Sequence, residues 1–454
     1  MTARLTPPIH AIRSTEPGAL SLLGSIRHNA LTMWGRQAYE RPVLVVSFLG
    51  RIKVLLNDPE AIGHVFVRNA ENYRKSANTR RFLAPALGNG LFFSEGAEWR
   101  HQRRTIAPML APRAMPVLSG HVAVAAEESR QRLIGRHDVD LISETQRTAL
   151  EIAGRSMFSL EMASHGAPIR KLLLRFAAQL SQPSVLEMLL PGVQSAQDRA
   201  RQRFRAEWTA LIGSIVDARA RVRAPDAPRD LFDMLVAARD PETGVGFSHE
   251  QLCDQVATMI LAGHETTALT LFWSLCLLAQ SPQWQEQVAA EAAANPFGPS
   301  DASVVLARLP VTRAVVSEAL RLYPPSFLIT RVATRRDQAH RTMIPRGATV
   351  AIAPWVLHRH TLLWSHPHSF DPARFLPGAP VPPRFSYAPF GVGTRVCVAA
   401  QFAMAEAVLV LASLLRTVHV VSADAAAVRP IGRTTVQPDR LARFSFRPRS
   451  GSVA

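Results

Sequence analysis

Phe390-Gly391-Val392-Gly393-Thr394-Arg395-Val396-Cys397 sets two glycines and an arginine ahead of a single cysteine, in a chain of 454 residues with only three cysteines. Glycine reaches positive φ without steric cost, so a Gly-x-Gly turn lets the backbone fold back tightly. A thiol just beyond such a turn sits among inward-pointing N–H groups, which favour the thiolate. A thiolate is a soft, electron-donating metal ligand, whereas the ordinary fate of a lone cysteine is to be an inert buried thiol. The spacing decides between them. From this composition Phe-Gly-x-Gly-x-Arg-x-Cys arises by chance on the order of once in 10⁴ chains.

Length allows one large domain or two to three ordinary ones, and 47% hydrophobic with 19% charged residues is globular. Cys253, Cys276 and Cys397 are odd in number and far apart, so no disulfide framework is implied and a reducing compartment fits. The net charge is +17, nearly all of it arginine, with lysine only at 53, 75 and 171. Such a surplus favours acidic partners. The arginines are scattered without an aromatic stripe, so nucleic acid is not an expected partner. The first 39 residues are broken by Pro7, Pro8 and Pro17 and hold no run able to span a bilayer. The expected location is cytoplasmic and soluble, without a transmembrane anchor.

The strongest pattern runs from about 251 to 280, an apolar stretch predicting a buried helix of some eight turns, roughly 45 Å long. Further helices are expected around 116–135, 141–160, 167–191, 196–222, 281–294, 311–322 and 398–416. Strands are expected at 42–56, 328–333 and 348–353, and near 417–421 and 434–446. Pro and Gly cluster at 223–246, 295–300 and 376–393, read as surface loops and a meander. The fold class is mainly α with a smaller β-rich region.

In the middle of the long helix lies Ala262-Gly263-His264-Glu265-Thr266. The Thr266 hydroxyl can bond the carbonyl four residues back, at Ala262, and Gly263 weakens the ladder there. Glu265 beside Thr266 pairs an acid with an alcohol, able to relay protons into a dry site; a kinked core helix with Glu265 in a salt bridge is the alternative. Glu318 and Arg321 are three apart on one helical face, between apolar residues, and Arg374 lies in a later extended segment. Together they predict a buried Arg–Glu–Arg cluster that pins register. Trp99 and Arg103, at i and i+4, can receive a carboxylate, while Arg100 and Arg104 are expected to face out. His358, His360, His366 and His368 fit no defined metal spacing and read as a polar meander.

These signals, in this order, resemble the cytochrome P-450 family of haem-thiolate monooxygenases, across roughly residues 35–445. The resemblance implies the fold of that family, with haem b held between the long central helix and the cysteine loop. Residues 1–34 would be a loosely structured extension and 35–454 a single haem-thiolate domain. It implies that Cys397 is the thiolate ligand to iron, a role the family is known for. Phe390 would pack beneath the haem, with Gly391 and Gly393 shaping the loop. Trp99, Arg103, Arg331 and Arg395 would hold the propionates, and Ala262 would line the groove where Glu265 and Thr266 deliver protons. Glu318, Arg321 and Arg374 would lock the fold.

One departure is Ala399, where the family usually has glycine. It keeps in view a haem-thiolate isomerase or dehydratase that needs no O2, or a non-catalytic haem-binding protein. The expected reaction is insertion of one atom of O2 into a hydrophobic small molecule, by hydroxylation or epoxidation. Leu91, Phe92 and Phe93 are substrate-pocket candidates by resemblance, as are Phe327 and Leu328; Thr258 shares a stripe with Ala262 and Thr266. With no flavin or iron–sulfur motif in view, electrons are expected from an acidic ferredoxin or flavodoxin and its reductase, docking on a monomer near Arg100, Arg104 and Arg113.

Overall fold

The computed structural model describes residues 4–48, 50–159, 166–182, 184, 187, 193–221 and 227–449. It divides into two compact units. The first takes Met1–Thr79, Ala314–Cys397 and Ala423–Ala442; the second takes Arg80–Arg313, Val398–Ser422 and Arg443–Ala454.

The first unit is built on a five-stranded sheet, in the spatial order Val43–Phe48, Arg51–Leu56, Thr349–Ile352, Ile329–Ala333 and Tyr73–Arg74. The first two strands form an antiparallel hairpin with Val45 opposite Val54, and Gly50 supplies the left-handed turn residue at φ 71°. The Arg51–Leu56 strand then runs parallel to Thr349–Ile352. Val54, Leu56, Val350 and Ile352 bury one face against Ile62, Val65 and Phe66 of the short helical segment that follows the hairpin. Each such side chain contributes about 1.5–3 kcal/mol on leaving water.

The stretch read as a loosely structured extension carries a helix, Ala19–His28, within this unit. Just after it, Asn29 Oδ1 accepts the Leu31 and Gly432 N–H groups at 3.1 and 2.8 Å. Local sequence hides this, because Gly432, the anchoring partner, is 403 residues away.

The second unit centres on the helix His249–Ala279, which runs without a break. Ser248 and Gln251 form a reciprocal capping box: Ser248 Oγ accepts the Gln251 N–H at 3.2 Å and Gln251 Oε1 accepts the Ser248 N–H at 3.0 Å. From Thr267 to Leu278 every residue is buried, against Leu141–Phe158 on one side and Ala400–Leu415 on another. The sequence pattern placed these three helices to within two or three residues.

Two expectations change. The segment 223–246, expected as loop, contains the helix Leu231–Ala237, capped by Asp230 accepting the Asp233 N–H at 2.9 Å, with Leu231, Phe232 and Leu235 buried. The helix expected over 167–191 is Gly166–Arg175, widening to a π turn at Phe176–Leu180; much of the remainder lies outside the described residues.

In the first unit, Arg321 and Glu318 are fully buried and pair through two charge-assisted hydrogen bonds of 2.7 Å. Arg374 approaches Glu318 at 3.5 Å and the Asp371 N–H donates to it at 2.9 Å. Removing one partner leaves a buried uncompensated charge, so Glu318→Ala should cost about 3–5 kcal/mol. Equilibrium urea unfolding of the purified protein is the check, and a loss below 1 kcal/mol would rule out this account of the pair.

Candidate active site

The cysteine loop is shaped as its glycines predict. Gly391 and Gly393 take φ of 76° and 74°. The Cys397 N–H donates to the Phe390 carbonyl at 2.9 Å and the Gly391 N–H to the Ala388 carbonyl at 3.1 Å, which closes the turn. At Gly393 a Cβ would lie 1.9 Å from the Phe66 carbonyl oxygen, so no side chain fits. The result is an exposed thiol on a rigid turn. The other two cysteines are buried: burial raises the Cys253 thiol and pushes Cys276 up to about 12, leaving both inert. A single accessible cysteine is the one that can supply a thiolate ligand to haem iron.

The loop is tied to the buried ion pair through a residue that sequence reasoning left in the meander. Arg321 donates to the carbonyls of His358, Pro367 and Ser369 at 2.8, 2.7 and 2.9 Å. His358 Nδ1–H donates to the Arg321 carbonyl at 3.1 Å, and His358 Nε2 accepts the Ala388 N–H at 2.8 Å. Burial and the Arg321 charge hold His358 neutral, down to about 3. Glu318, Arg321, His358 and Ala388 thus form a continuous path to the Gly391 turn. The signal available in sequence was a histidine inside the apolar run 353–358; its partner was not readable.

Arg331 and Arg395 are half-buried in this unit, with the Arg331 guanidinium 5.7 Å over the Phe66 ring. Phe390 is half-buried; Phe327 is buried and packs edge-on against Trp34 at 6.4 Å, and Leu328 is half-buried beside it.

In the second unit, the Thr266 hydroxyl donates to the Ala262 carbonyl at 2.6 Å. Thr270 and Ser274 repeat this back-bonding at 2.8 and 2.7 Å, so the carbonyls of the ladder gain extra donors and the helix does not open. Ala262 is exposed, Glu265 and Thr266 are half-buried, and a Cβ on Gly263 would meet open space. An otherwise apolar helix therefore leaves one accessible stripe at its middle. Behind it His264 is buried, donating Nε2–H to the Gln146 carbonyl at 3.1 Å. Beside it Thr267 donates to Glu406 at 2.9 Å, and burial pushes that carboxyl up to about 8. Glu406, nine residues beyond the cysteine on the following helix, was not singled out from sequence.

Trp99 and Arg103 lie half-buried on the helix Gly96–Ile106. Arg104 does not face out freely. It forms a bidentate pair with the buried Asp240 at 3.0 and 2.8 Å and meets Glu242 at 3.0 Å, while Arg100 is exposed. Of the pocket candidates here, Phe93 is fully buried, Phe92 is 39% exposed and packs edge-on to it at 4.8 Å, and Leu91 is half-buried. Thr258 is spent on structure, its hydroxyl donating to the Leu87 carbonyl at 3.0 Å. An open cavity of about 790 Å³ in this unit is walled by Arg80, Arg81, Arg205, Asp198 and Asp254, too ionic for an apolar substrate chamber. Among the described residues no cluster of three His, Cys, Asp or Glu side chains could hold a further metal ion. Ala399 sits at φ −97°, a conformation alanine adopts without strain, so the departure there distorts nothing locally.

Gly393→Ala should displace the loop and abolish haem retention, read as the haem-to-protein ratio after gel filtration. His264 provides a pH test. It stays neutral in the fold to about 4, whereas the unfolded imidazole takes its proton near 6.5. Between those values the unfolded chain binds more protons, so stability falls as pH is lowered and is unaffected above. From pH 7 to 5 the loss due to this group is roughly 2 kcal/mol. His264→Gln should remove that share of the acid destabilisation in urea unfolding.

A family model for cytochrome P450 matches residues 18–446. Among curated proteins the chain is 33% identical to cyclooctatin synthase of Streptomyces melanosporofaciens, covering 84% of this chain and 81% of that protein. It is 29% identical to cyclooctat-9-en-7-ol 5-monooxygenase of the same organism, covering 88% of each. Pentalenene oxygenase of Streptomyces avermitilis is 28% identical, over 80% of this chain and 81% of that one. Among solved structures, the haem domain of cytochrome P450DA superposes with a TM-score of 0.77 at 26% identity, covering 90% of both chains. With its exposed cysteine on a two-glycine turn and a helical fold shared along nearly its full length, the chain belongs to the cytochrome P450 family and is a haem-thiolate monooxygenase with haem b as cofactor.

Proposed function

We propose that Cys397 is the iron ligand and that residues 35–454 act as one haem-thiolate domain. The observation that carries this is the Cys397 thiol, exposed on a turn that hydrogen bonds lead back to the buried Glu318–Arg321 pair. Bound haem supplies the iron at which O2 is reduced with two electrons and one of its oxygen atoms is inserted into the substrate.

The chain's own residues do the rest. Cys397 would donate electron density to the iron through its sulfur, which the two-glycine turn leaves accessible. Phe390 would pack against the haem, and Trp99, Arg103, Arg331 and Arg395 are the side chains that would receive its propionates. Thr266 Oγ1 holds a proton, now given to the Ala262 carbonyl, within reach of the accessible stripe; Glu265, next in the chain, replenishes it. His264 plays no part in this relay, since burial keeps it neutral and its N–H is committed to Gln146.

The substrate we propose is a hydrophobic, polycyclic hydrocarbon or its alcohol. Support comes from the names of the relatives, which print cyclooctat-9-en-7-ol and pentalenene, and from the aromatic Phe92 and Phe93 beside the helix that carries Trp99. Electrons would come from an acidic ferredoxin or flavodoxin with its reductase, drawn to a cytoplasmic monomer by its +17 charge through Arg100 and Arg113, not Arg104. No helix among the described residues is long and apolar enough to cross a membrane.

The reduced, CO-bound absorption spectrum tests the ligand: the thiolate-type Soret band should be present in the wild type and absent from Cys397→Ser. Thr266→Ala should keep that band while product formed per electron pair consumed falls roughly 10²-fold, with the balance released as peroxide. An unchanged coupling ratio in Thr266→Ala would remove this residue from the proton path.

A further inference from the structure

Gln255 is 1% exposed and lies in the second turn of the central helix. Its Oε1 accepts the Leu91 N–H at 3.0 Å, which fixes the orientation of the amide. Its Nε2 is buried with no hydrogen-bond partner. A buried amide NH2 without an acceptor is costly and calls for an explanation, one of which is an acceptor brought by a ligand.

Helical geometry says where this NH2 stands. Gln255 precedes Ala262 by seven residues and Thr266 by eleven, so at about 100° per residue all three fall within roughly 20° of one line. Along the axis the separations are about 10 and 16 Å. Met259, half-buried, lies between them on the same face. The stripe that is accessible at Ala262 is covered at Gln255 by the segment 87–91. Three side chains of the first turns bind that segment down. Asp254 accepts the Asn89 N–H at 2.7 Å, Gln255 accepts that of Leu91, and Thr258 donates to the Leu87 carbonyl. At Gly88 a Cβ would lie 1.9 Å from Asp254 Oδ1, so the segment approaches the helix as closely as backbone allows. The orphaned donor therefore sits at the closed end of the stripe whose open part carries Thr266.

We infer that Gln255 determines specificity by donating from Nε2 to an oxygen at the far end of the substrate, so that this enzyme prefers a rigid hydrophobe bearing an acceptor oxygen about 10 Å from the carbon to be oxidised. This rests on the reading of the Ala262–Thr266 stripe as the oxidation site. The apolar length of the molecule lies along Met259, and the oxygen meets the Gln255 NH2, since the Thr258 hydroxyl is already committed to the Leu87 carbonyl.

The test is a binding titration of the haem-loaded protein, followed by Soret difference spectra and calorimetry, with 5α-androstane and 5α-androstan-3-one as matched probes. The ketone can only accept. Wild type should bind the ketone about tenfold tighter than the hydrocarbon. Gln255→Met keeps the reach of the side chain and loses the donor; it should abolish the preference while the protein still loads haem. Gln255→Leu should abolish the preference too, with hydrocarbon binding retained. The inference is overturned if wild type shows no preference, if the preference survives in both variants, or if neither probe binds. A preparation lacking the thiolate-type band when reduced with CO would instead overturn the site assignment beneath it, so the two failures are told apart by one spectrum.

Discussion

A carboxylate and a guanidinium with no contact with water, Glu318 and Arg321, hold the cysteine-bearing part of this molecule together. Isolated, either charge would be intolerable in a protein interior, so each must keep the other and every remaining donor must find a carbonyl. Arg321 meets that demand by reaching three carbonyls between residues 358 and 369, and so fixes a loop with little regular structure of its own. His358 extends the constraint: neutral, with one nitrogen donating and the other accepting, it passes the position of the Arg321 backbone to Ala388 and so to the Gly391 turn. The thiol inherits its placement from a pair more than seventy residues earlier in the chain.

The central helix solves a different problem, how to keep polar groups inside an apolar rod. Thr266, Thr270 and Ser274 return their hydroxyls to carbonyls one turn back, so none is orphaned and the helix stays continuous. Thr267, next to the proposed proton donor, instead reaches across to Glu406, a carboxyl that burial keeps largely protonated near neutral pH. The side of the helix at Ala262, Gly263 and Thr266 is left open, which is where function needs space and stability does not.

The arginine surplus divides along the same lines. Arg104, Arg201 and Arg219 are each paired with buried acids, Asp240, Glu187 and Asp230, and so spend their charge inside the second unit. Only exposed residues such as Arg100 and Arg113 remain to act on a partner at a distance, and screening confines their reach to about 10 Å at moderate salt. A net charge read from composition overstates the field available for docking.

Local chemistry was legible from residue order alone. Two glycines before Cys397 required positive φ, the apolar run near 251–280 required a long buried helix, and Thr266 four residues after Ala262 implied the back-bond that is found. Glu318 and Arg321 could be paired because helical spacing puts them on one face. What the linear chain could not disclose were groups whose partners are distant in sequence: His358 between Arg321 and Ala388, Glu406 beneath Thr267, Asp240 drawing in Arg104, and the Gln255 amide closed over by Leu91. Periodicity determines which way a side chain points within its own element. Which donor it meets, and whether water can reach it, depends on loop closures tens to hundreds of residues long, and those exist only once the chain has folded.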